Sequence, residues 1–459
     1  FHYVPTVSRP KEWTGESGHI QQTFQKHITD FSHREIYICG WMEIVKEIVA
    51  AYRTAFEGVG SAIRGRQAFL DRLAVIPGIY VPQKYDIDYA PDGTVAGVVP
   101  RDGAPAVVTK RRLKDVNEFE TISLLKTPKA EYGHMTLLEV GKGCGRGCRF
   151  CLEGEIYRPV RHRSLDSLRE TVKKIANSGK RVGLVGACVS DYPWIDKLMK
   201  VLEEYGVEFS ISSLRADSLT EELVASLRRG GHRTLTIAPE AGTERLRKVI
   251  RKAITDEQLY NACDLIRKYG IPNLKCYFMI GLPGETMEDV EAIPDLAARL
   301  LTRLKVPDHD GHPFGKLTLS VSSYVPKPWT PFQWAPFDDL RNLEEKLGVI
   351  KRGVRRFSNV RVLHENPREA SLQALLARGD RRVAELLEIA ARLEGDWRKA
   401  LSEWDLDPKF YTSRARRLDE LMPWDHFEVG VKKAGLIREY HRAGFAPAEA
   451  DGSVGPCGP

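Results

Sequence analysis

Between about Gly133 and Arg355, short runs rich in β-branched and apolar residues alternate with longer stretches in which apolar residues recur every three or four positions. The short runs predict buried strands, and the longer stretches predict helices whose apolar faces form a core. Repeated alternation of this kind predicts a parallel α/β barrel. The six candidate strands are Thr136–Val140, Arg181–Val185, Glu208–Ser212, Thr234–Ala238, Leu274–Ile280 and Lys316–Ser322. The clearest candidate helices between them are Ser164–Ser178, Thr220–Arg229 and Thr255–Tyr269.

The segments on either side of this region follow other patterns. Before the barrel, Pro77 and Gly78 interrupt any helix, and the turn residues Pro91-Asp92-Gly93 favour a hairpin. After the barrel, Arg382–Leu393 carries its apolar residues mostly on one face, which predicts a helix. The predicted segments are an N-terminal α/β extension (1–52), a connector (53–130), the core barrel (131–355) and a helical region with a disordered tail (356–459).

Three cysteines lie within eight residues, in the run Cys144-Gly145-Arg146-Gly147-Cys148-Arg149-Phe150-Cys151. This spacing places three thiolates on one short loop, which suits three corners of a cubane iron-sulfur cluster and leaves the fourth iron open. The loop follows the first predicted strand, at the barrel end where ligands bind. The alternatives are a zinc knuckle that lacks its fourth ligand and a coincidental group of buried thiols.

Composition narrows the class of protein. Of 459 residues, 42% are hydrophobic and 29% are charged, which is ordinary for a soluble globular protein. No apolar run approaches the roughly 18 residues of a membrane span, and the chain start lacks a signal-peptide pattern. The cysteines outside the motif are scattered without disulfide-like spacing, so we expect a cytoplasmic protein. A net charge of +7 permits contact with nucleic acid but does not indicate it.

The cysteine motif resembles the signature of the radical S-adenosylmethionine (SAM) superfamily, and Phe150 fills the aromatic position before the last cysteine. The resemblance implies a partial (β/α)6 TIM-like barrel and a [4Fe-4S] cluster on Cys144, Cys148 and Cys151. It also implies that the open iron binds SAM and that one electron cleaves SAM to methionine and a 5'-deoxyadenosyl radical. The electron would come from an external donor such as a flavodoxin or ferredoxin.

Residues at the ends of the later strands are candidates for binding SAM. Gly186 lies where the family carries a Gly-Gly-Glu-like turn, although the Glu is missing here. A hydroxyl at Ser213 and a guanidinium at Arg215 suit ribose and carboxylate groups respectively. Glu240 resembles the carboxylate of a methylthiotransferase turn, where it accepts from ribose hydroxyls, and Gly242 allows close approach. Gly281 begins a Gly-x-Pro-Gly turn similar to the motif that holds adenine against backbone. No residue is assigned a catalytic role.

The resemblance favours a methyltransferase or methylthiotransferase-like transfer at an unactivated carbon, with substrate and product open. From residue 53 onwards the chain resembles a branch of radical SAM proteins that usually carry a cobalamin-binding domain. Cobalamin binding by this chain itself is not expected. The first 50 residues resemble the tail of a ferredoxin-reductase-type domain. The alternative function is therefore an iron-sulfur electron-transfer or scaffold protein without SAM turnover.

Overall fold

A computed structural model describes residues 6–7, 16–17, 42–56, 62–120, 122–123, 129, 131–178, 181–308 and 311–445. The chain divides into two compact units: Phe1–Leu113 with Leu421–Val429, and Lys114–Glu420 with Gly430–Pro459. The reductase-like strands expected near the N-terminus lie mostly outside the described residues, as do the predicted disordered tail and Cys457. In the described part of the chain, no helix combines the length and the apolar character needed to cross a membrane.

The described residues contain fifteen short or medium strands and fifteen α-helices. The strands are β1 Thr6–Val7, β2 Glu16–Ser17, β3 Tyr85–Tyr89, β4 Val95–Pro100, β5 Val108–Thr109, β6 Thr136–Glu139, β7 Gly141–Lys142, β8 Arg161–His162, β9 Arg181–Val185, β10 Glu208–Ile211, β11 Thr234–Glu240, β12 Asn273–Ile280, β13 Lys316–Ser323, β14 Val360–His364 and β15 Phe427–Glu428. The helices are α1 Met42–Phe56, α2 Ala62–Ala74, α3 Leu152–Ile156, α4 Leu165–Ser178, α5 Ile195–Glu204, α6 Glu221–Arg229, α7 Glu244–Val249, α8 Asp256–Lys268, α9 Met287–Leu304, α10 Leu340–Val354, α11 Pro367–Arg378, α12 Val383–Arg392, α13 Trp397–Glu403, α14 Pro408–Thr412 and α15 Lys433–Arg442.

The smaller unit is built on two helices and short paired strands. Strands β3 and β4 form the antiparallel hairpin predicted around Pro91-Asp92-Gly93. Strand β5 pairs in parallel with β15, which lies more than 300 residues further along the chain. Tyr85 is buried in this unit and donates from its hydroxyl to the carbonyl of Pro105 at 2.9 Å.

The larger unit contains the predicted open barrel. Strands β6, β9 and β10 form one parallel sheet in the order β10-β9-β6, and β11, β12, β13 and β14 form another in that order. A parallel bridge between Leu214 and Ile237 joins the two sheets. All six predicted strands are present, and the array does not close within the described residues. The prediction of a partial α/β barrel is therefore confirmed.

A seventh parallel strand, β14, lies in the region for which only helices were expected. This run of five residues is too short and too exposed for its apolar pattern to stand out from the charged sequence around it. Pairing with β13 stabilises it as a strand. The predicted helix Arg382–Leu393 is confirmed as α12. It packs with α13 and α14 around Trp404 and Tyr411 in a small core of its own.

The main core lies between the strands and the helices. Along β12 every second residue is buried, and Leu274, Cys276, Phe278 and Ile280 all belong to the same apolar cluster as residues of α8 and α9. The opposite face of β12 is only half-buried. Because side chains of a strand alternate between its two faces, the helices cover one face of the sheet and leave the other facing the inside of the open barrel.

Gly242 was expected to allow close approach at the end of β11. In the structure it is the backbone of helix α9 that lies close to Gly242. A Cβ at this position would lie 2.6 Å from the carbonyl oxygen of Asp289 and 2.7 Å from the amide nitrogen of Ile293, both in α9. These are backbone atoms, so the helix itself would have to move. Gly242 therefore fixes the distance between the end of β11 and α9.

Gly242→Ala should lower the free energy of unfolding by about 3 kcal/mol, because an overpacked site displaces backbone. Gly435→Ala is the matched control, since its Cβ would meet nothing closer than Arg438 Nη2 at 3.9 Å inside α15. The control should be neutral or stabilising by up to about 1 kcal/mol. Urea unfolding followed by circular dichroism measures both. Equal stability of the two variants would contradict the assignment.

Candidate iron-sulfur and SAM site

The cysteine loop lies between the short antiparallel strands β7 and β8. Strand β7 directly follows β6 along the chain. Its backbone needs glycine at two positions: Gly143 has φ +81° and Gly147 has φ +71°. A Cβ on Gly143 would also lie 2.5 Å from the carbonyl oxygen of Tyr157. These two glycines therefore let the loop fold back towards Tyr157.

Each of the three sulfurs accepts a hydrogen bond. The amide of Arg146 donates to Cys144 Sγ at 3.5 Å, and the amide of Gly154 donates to Cys151 Sγ at 3.4 Å at the start of α3. The guanidinium of Arg215 donates to Cys148 Sγ at 4.0 Å. Donors of this kind stabilise thiolate sulfur more than thiol sulfur.

Cys148 is buried, and Cys144 and Cys151 are half-buried. Burial raises the pKa of Cys148, although the charges of Lys252 and Arg215 act in the opposite direction. Burial also raises the pKa of Cys151 to about 11, and the charges of Cys148 and Cys144 add to the rise. The thiolate form therefore needs a bound metal centre in addition to the neighbouring cations.

The chemistry of these donors fits an iron-sulfur cluster, in which each thiolate binds a different iron. Three thiols with amide and guanidinium donors are suited to an anionic cluster, which Cys144, Cys148 and Cys151 would hold.

Two arginines and two aspartates connect the loop to the strand ends. Arg146, between the first two cysteines, donates to Asp191 at 2.7 and 2.6 Å and to Asp217 at 3.1 Å. Asp217 also accepts from Arg215 at 2.8 and 2.9 Å. Asp191 lies just beyond β9, and Asp217 lies just beyond β10. This network attaches the loop to two adjacent strands of the barrel.

Arg215 is saturated with partners. It is buried, it donates to Asp217 and Cys148, and its Nη2 also donates to the carbonyl of Lys252 at 3.0 Å. The amide of Arg215 donates to the hydroxyl of Ser190 at 3.3 Å. Its guanidinium is thus held against the cysteine loop rather than projecting freely from the strand end.

Glu240 occupies an unusual backbone conformation at the end of β11. Its φ is +72°, at a point where the pairing of β11 with β12 shifts register. Its carboxylate accepts from Lys252 Nζ at 2.9 Å, and both side chains are largely buried. Burial opposes the charge of Lys252, but Glu240 and Cys148 outweigh that effect and raise the pKa of Lys252. Lys252 thereby connects Glu240 to the cysteine loop electrostatically.

The glycine turn after β12 is held by a buried carboxylate. Gly281 has φ +77° and donates from its amide to Glu285 Oε2 at 2.7 Å. The same carboxylate oxygen accepts from Lys346 Nζ at 2.7 Å, and Lys346 also reaches Asp338 at 2.7 Å. Only 2% of the Glu285 side chain is exposed. The turn therefore depends on an ion pair with a residue of α10.

The remaining predicted residues lie at the same end of the strands. Phe150 packs against an apolar cluster that includes Ala241 after β11 and Leu282 after β12. Gly186 follows β9, where a Cβ would lie 3.2 Å from Val140 Cγ2, and it lines a small depression beside the cysteine loop. Ser213 is half-buried just beyond β10.

The structure thus connects Cys148, Arg215 and Glu240 through Lys252, whereas Gly186, Ser213 and Gly281 lie in separate turns. Sequence reasoning missed the roles of four charged residues: Arg146, Asp217, Lys252 and Lys346. The role of Arg146 could have been suspected from its position inside the cysteine motif. The others are separated from their partners by turns that no local pattern marks.

A comparison with protein families identifies this region. The model of the Radical SAM superfamily matches residues 138–297, which run from β6 into α9. The chain carries a radical SAM domain. The family implies a [4Fe-4S] cluster and SAM, as expected from the cysteine motif. Strands β13 and β14 lie beyond the matched residues.

Curated relatives cover only part of the chain. The uncharacterised protein MJ0966 of Methanocaldococcus jannaschii is 40% identical over 261 residues, which are 56% of this chain and 55% of that protein. A ribosomal protein uS12 methylthiotransferase, RimO, of Clostridioides difficile is 24% identical over 35% of this chain and 39% of its own. A tRNA-2-methylthio-N(6)-dimethylallyladenosine synthase of Methylacidiphilum infernorum is 26% identical over 34% and 37%. The chain spans about half or less of the length of these curated relatives.

Solved structures show partial similarity. Streptococcus suis SuiB bound to S-adenosylmethionine aligns with a TM-score of 0.34 and 14% identity over 50% of this chain and 46% of that chain. The radical SAM methyltransferase TsrM of Kitasatospora setae aligns with a TM-score of 0.32 and 17% identity over 40% and 36%. Similarity of this extent identifies neither a substrate nor a reaction.

Lys346→Met should lower the free energy of unfolding by about 3 kcal/mol, because it leaves the buried Glu285 carboxylate without its cation. The double variant with Glu285→Gln should recover most of that loss. Lys351→Met on the same helix is the control, since Lys351 is exposed. Urea unfolding measures all three, and a Lys346→Met protein as stable as the control would refute the role of this pair.

Arg215→Met should make the reduction potential of the reconstituted cluster more negative by about 50 mV, because a hydrogen bond and a positive charge beside Cys148 are lost. Arg215→Lys keeps the charge and should recover part of the shift. Arg181→Met, an exposed change at the start of β9, is the control. Electron paramagnetic resonance during a redox titration measures the potential. An unchanged potential in a fully loaded Arg215→Met protein would contradict the assignment.

Proposed function

We propose that this chain is a radical SAM enzyme that uses Cys144, Cys148 and Cys151 to hold a [4Fe-4S] cluster and reductively cleaves SAM to start radical chemistry. The observation that carries the proposal is a loop of three hydrogen-bonded thiols, held by charged residues at the carboxyl ends of parallel strands. The family match over residues 138–297 supports it. When bound, such a cluster supplies the electron that converts SAM to methionine and a 5'-deoxyadenosyl radical.

The chain's own residues perform positioning and charge compensation in this proposal. Arg215 and Lys252 stabilise the negative charge that accumulates at Cys148. Phe150 anchors the loop by packing against the apolar cluster that follows β11 and β12. Asp191 and Asp217 hold Arg146 and thereby keep the loop in register with the strand ends. A loop fixed in this way needs little rearrangement when the cofactor binds.

The SAM contacts that we propose use the strand ends in order. Gly186 and Ser213 would bind the methionine and ribose parts, and the Gly281 backbone would hold adenine. Glu240 would accept from ribose hydroxyls, while its ion pair with Lys252 holds the carboxylate in position. Because the donors of Arg215 are occupied, we assign it to the thiolate and only secondarily to the SAM carboxylate.

The reaction that we propose is methyl or methylthio transfer, because the named relatives include methylthiotransferases. An external flavodoxin or ferredoxin would donate the electron. Cobalamin has no part in the proposal for this chain, and neither a ribosomal protein nor a nucleic acid is assigned as the substrate.

Cys148→Ala should lose most of the bound iron after anaerobic reconstitution and all dithionite-dependent formation of 5'-deoxyadenosine from SAM. Cys263→Ala, a change deep in the core between helix and strand, should keep both. Iron analysis and chromatography of the nucleoside measure the two outcomes, and S-adenosylhomocysteine formed alongside would favour methyl transfer. A wild-type cluster that never cleaves SAM would favour the electron-transfer alternative.

A further inference from the structure

The inner face of the open barrel is polar. On strands β10 to β13, seven of the half-buried residues that alternate with the buried core carry hydroxyl, ammonium or phenol groups, whereas Ala238 and Met279 on the same face are apolar. These inner-face residues are Ser210, Thr236, Lys275, Tyr277, Thr318, Ser320 and Ser322. Barrel interiors of this fold class are ordinarily filled by bulky branched apolar side chains. This face is therefore built to contact something other than its own core.

Strand register places these groups side by side. Lys275 pairs with Thr236 on β11 and with Thr318 on β13, so three polar side chains form one row across the sheet. Tyr277 pairs with Ser320 in the next row towards the carboxyl end. Neighbouring strands are about 4.8 Å apart, so one small polar group could contact a whole row.

The hydrogen-bonding capacity of this face is largely unused. Among the described residues, the hydroxyls of Thr236, Thr318 and Ser320 have no hydrogen-bond partner. Lys275 Nζ contacts the hydroxyl of Tyr277 at 3.2 Å and lies 4.6 Å from the centre of that ring.

Lys275 also differs from the other lysines of the site. Lys252 and Lys346 each lie within 3 Å of a buried carboxylate. Lys275 forms no ion pair with any residue that the structure describes, although it is half-buried. A partly desolvated ammonium without a counter-ion is costly, and an anion from outside the chain would remove that cost.

We propose that the inner face of β11 to β13 binds an oxyanion group of the substrate, a phosphate or a carboxylate, with Lys275 as its anchor and the flanking hydroxyls as donors. This inference rests on the proposed function, because it names the substrate class of that same site. Met279, near the carboxyl end of β12, lies four positions beyond Lys275, which corresponds to about 13 Å along the strand. The substrate therefore carries its anionic group about that far from the end where SAM would bind.

The test is a thermal-unfolding titration of the reconstituted full chain with inorganic phosphate and, separately, with acetate, at constant ionic strength in chloride. One of the two anions should raise the Tm of the wild type, and which one does so distinguishes a phosphate from a carboxylate ligand. In Lys275→Met the apparent affinity should fall about tenfold or more. Lys268→Met, on the outer helix α8, is the matched control and should respond as the wild type does.

A second variant covers the case in which Lys275→Met does not fold. Thr318→Val with Ser320→Ala keeps the lysine, removes two donors and should weaken the response severalfold. An equal response in all variants, or a wild type that responds to neither anion, overturns the proposal. If the wild type cleaves SAM but shows no anion response, the proposed function stands and this inference is refuted. If the anion response depends on Lys275 but the wild type does not cleave SAM, the anion-binding site stands and the proposed reaction is refuted.

Discussion

The hydrogen bond from Arg215 to the sulfur of Cys148 is the interaction on which the rest of the site depends. A buried sulfur that must become a thiolate needs a positive charge beside it, and that charge is itself costly to bury. Asp217 offsets this cost for Arg215 and also holds Arg146 in the cysteine loop. One carboxylate thus couples the position of the loop to the charge next to its central cysteine.

Ion pairs also hold charged side chains in place at two other strand ends. Lys252 lies between Glu240 and the cysteine loop, and Lys346 lies between Glu285 and Asp338 below the glycine turn. In each case a buried ion pair stabilises a backbone conformation that has a positive φ, at Glu240 in the first and at Gly281 in the second. Charged pairs of this kind set geometry more than they add stability. They give the strand ends the fixed arrangement that a cofactor site requires.

The two faces of the sheet divide the work of folding and recognition. Residues such as Leu274, Cys276 and Phe278 bury the outer face against helices and hold the strands in place. The inner face, with Lys275 and Tyr277, contributes little to the core and keeps its polar groups available. An open barrel tolerates a polar inner face, because its interior does not have to be packed with its own side chains.

The sequence by itself determined the cysteine loop, six of the seven barrel strands and the residues at the strand ends, because each of these depends on local spacing or local alternation. It did not reveal β14, whose five residues become a strand only by pairing with β13. It could not assign the partners of Arg146, which lie 45 and 71 residues away, or the role of Lys252. Nor could it separate the inner from the outer residues of β12. Those features were decided by tertiary structure alone, because strand register and the curvature of the sheet bring together charges that are distant along the chain.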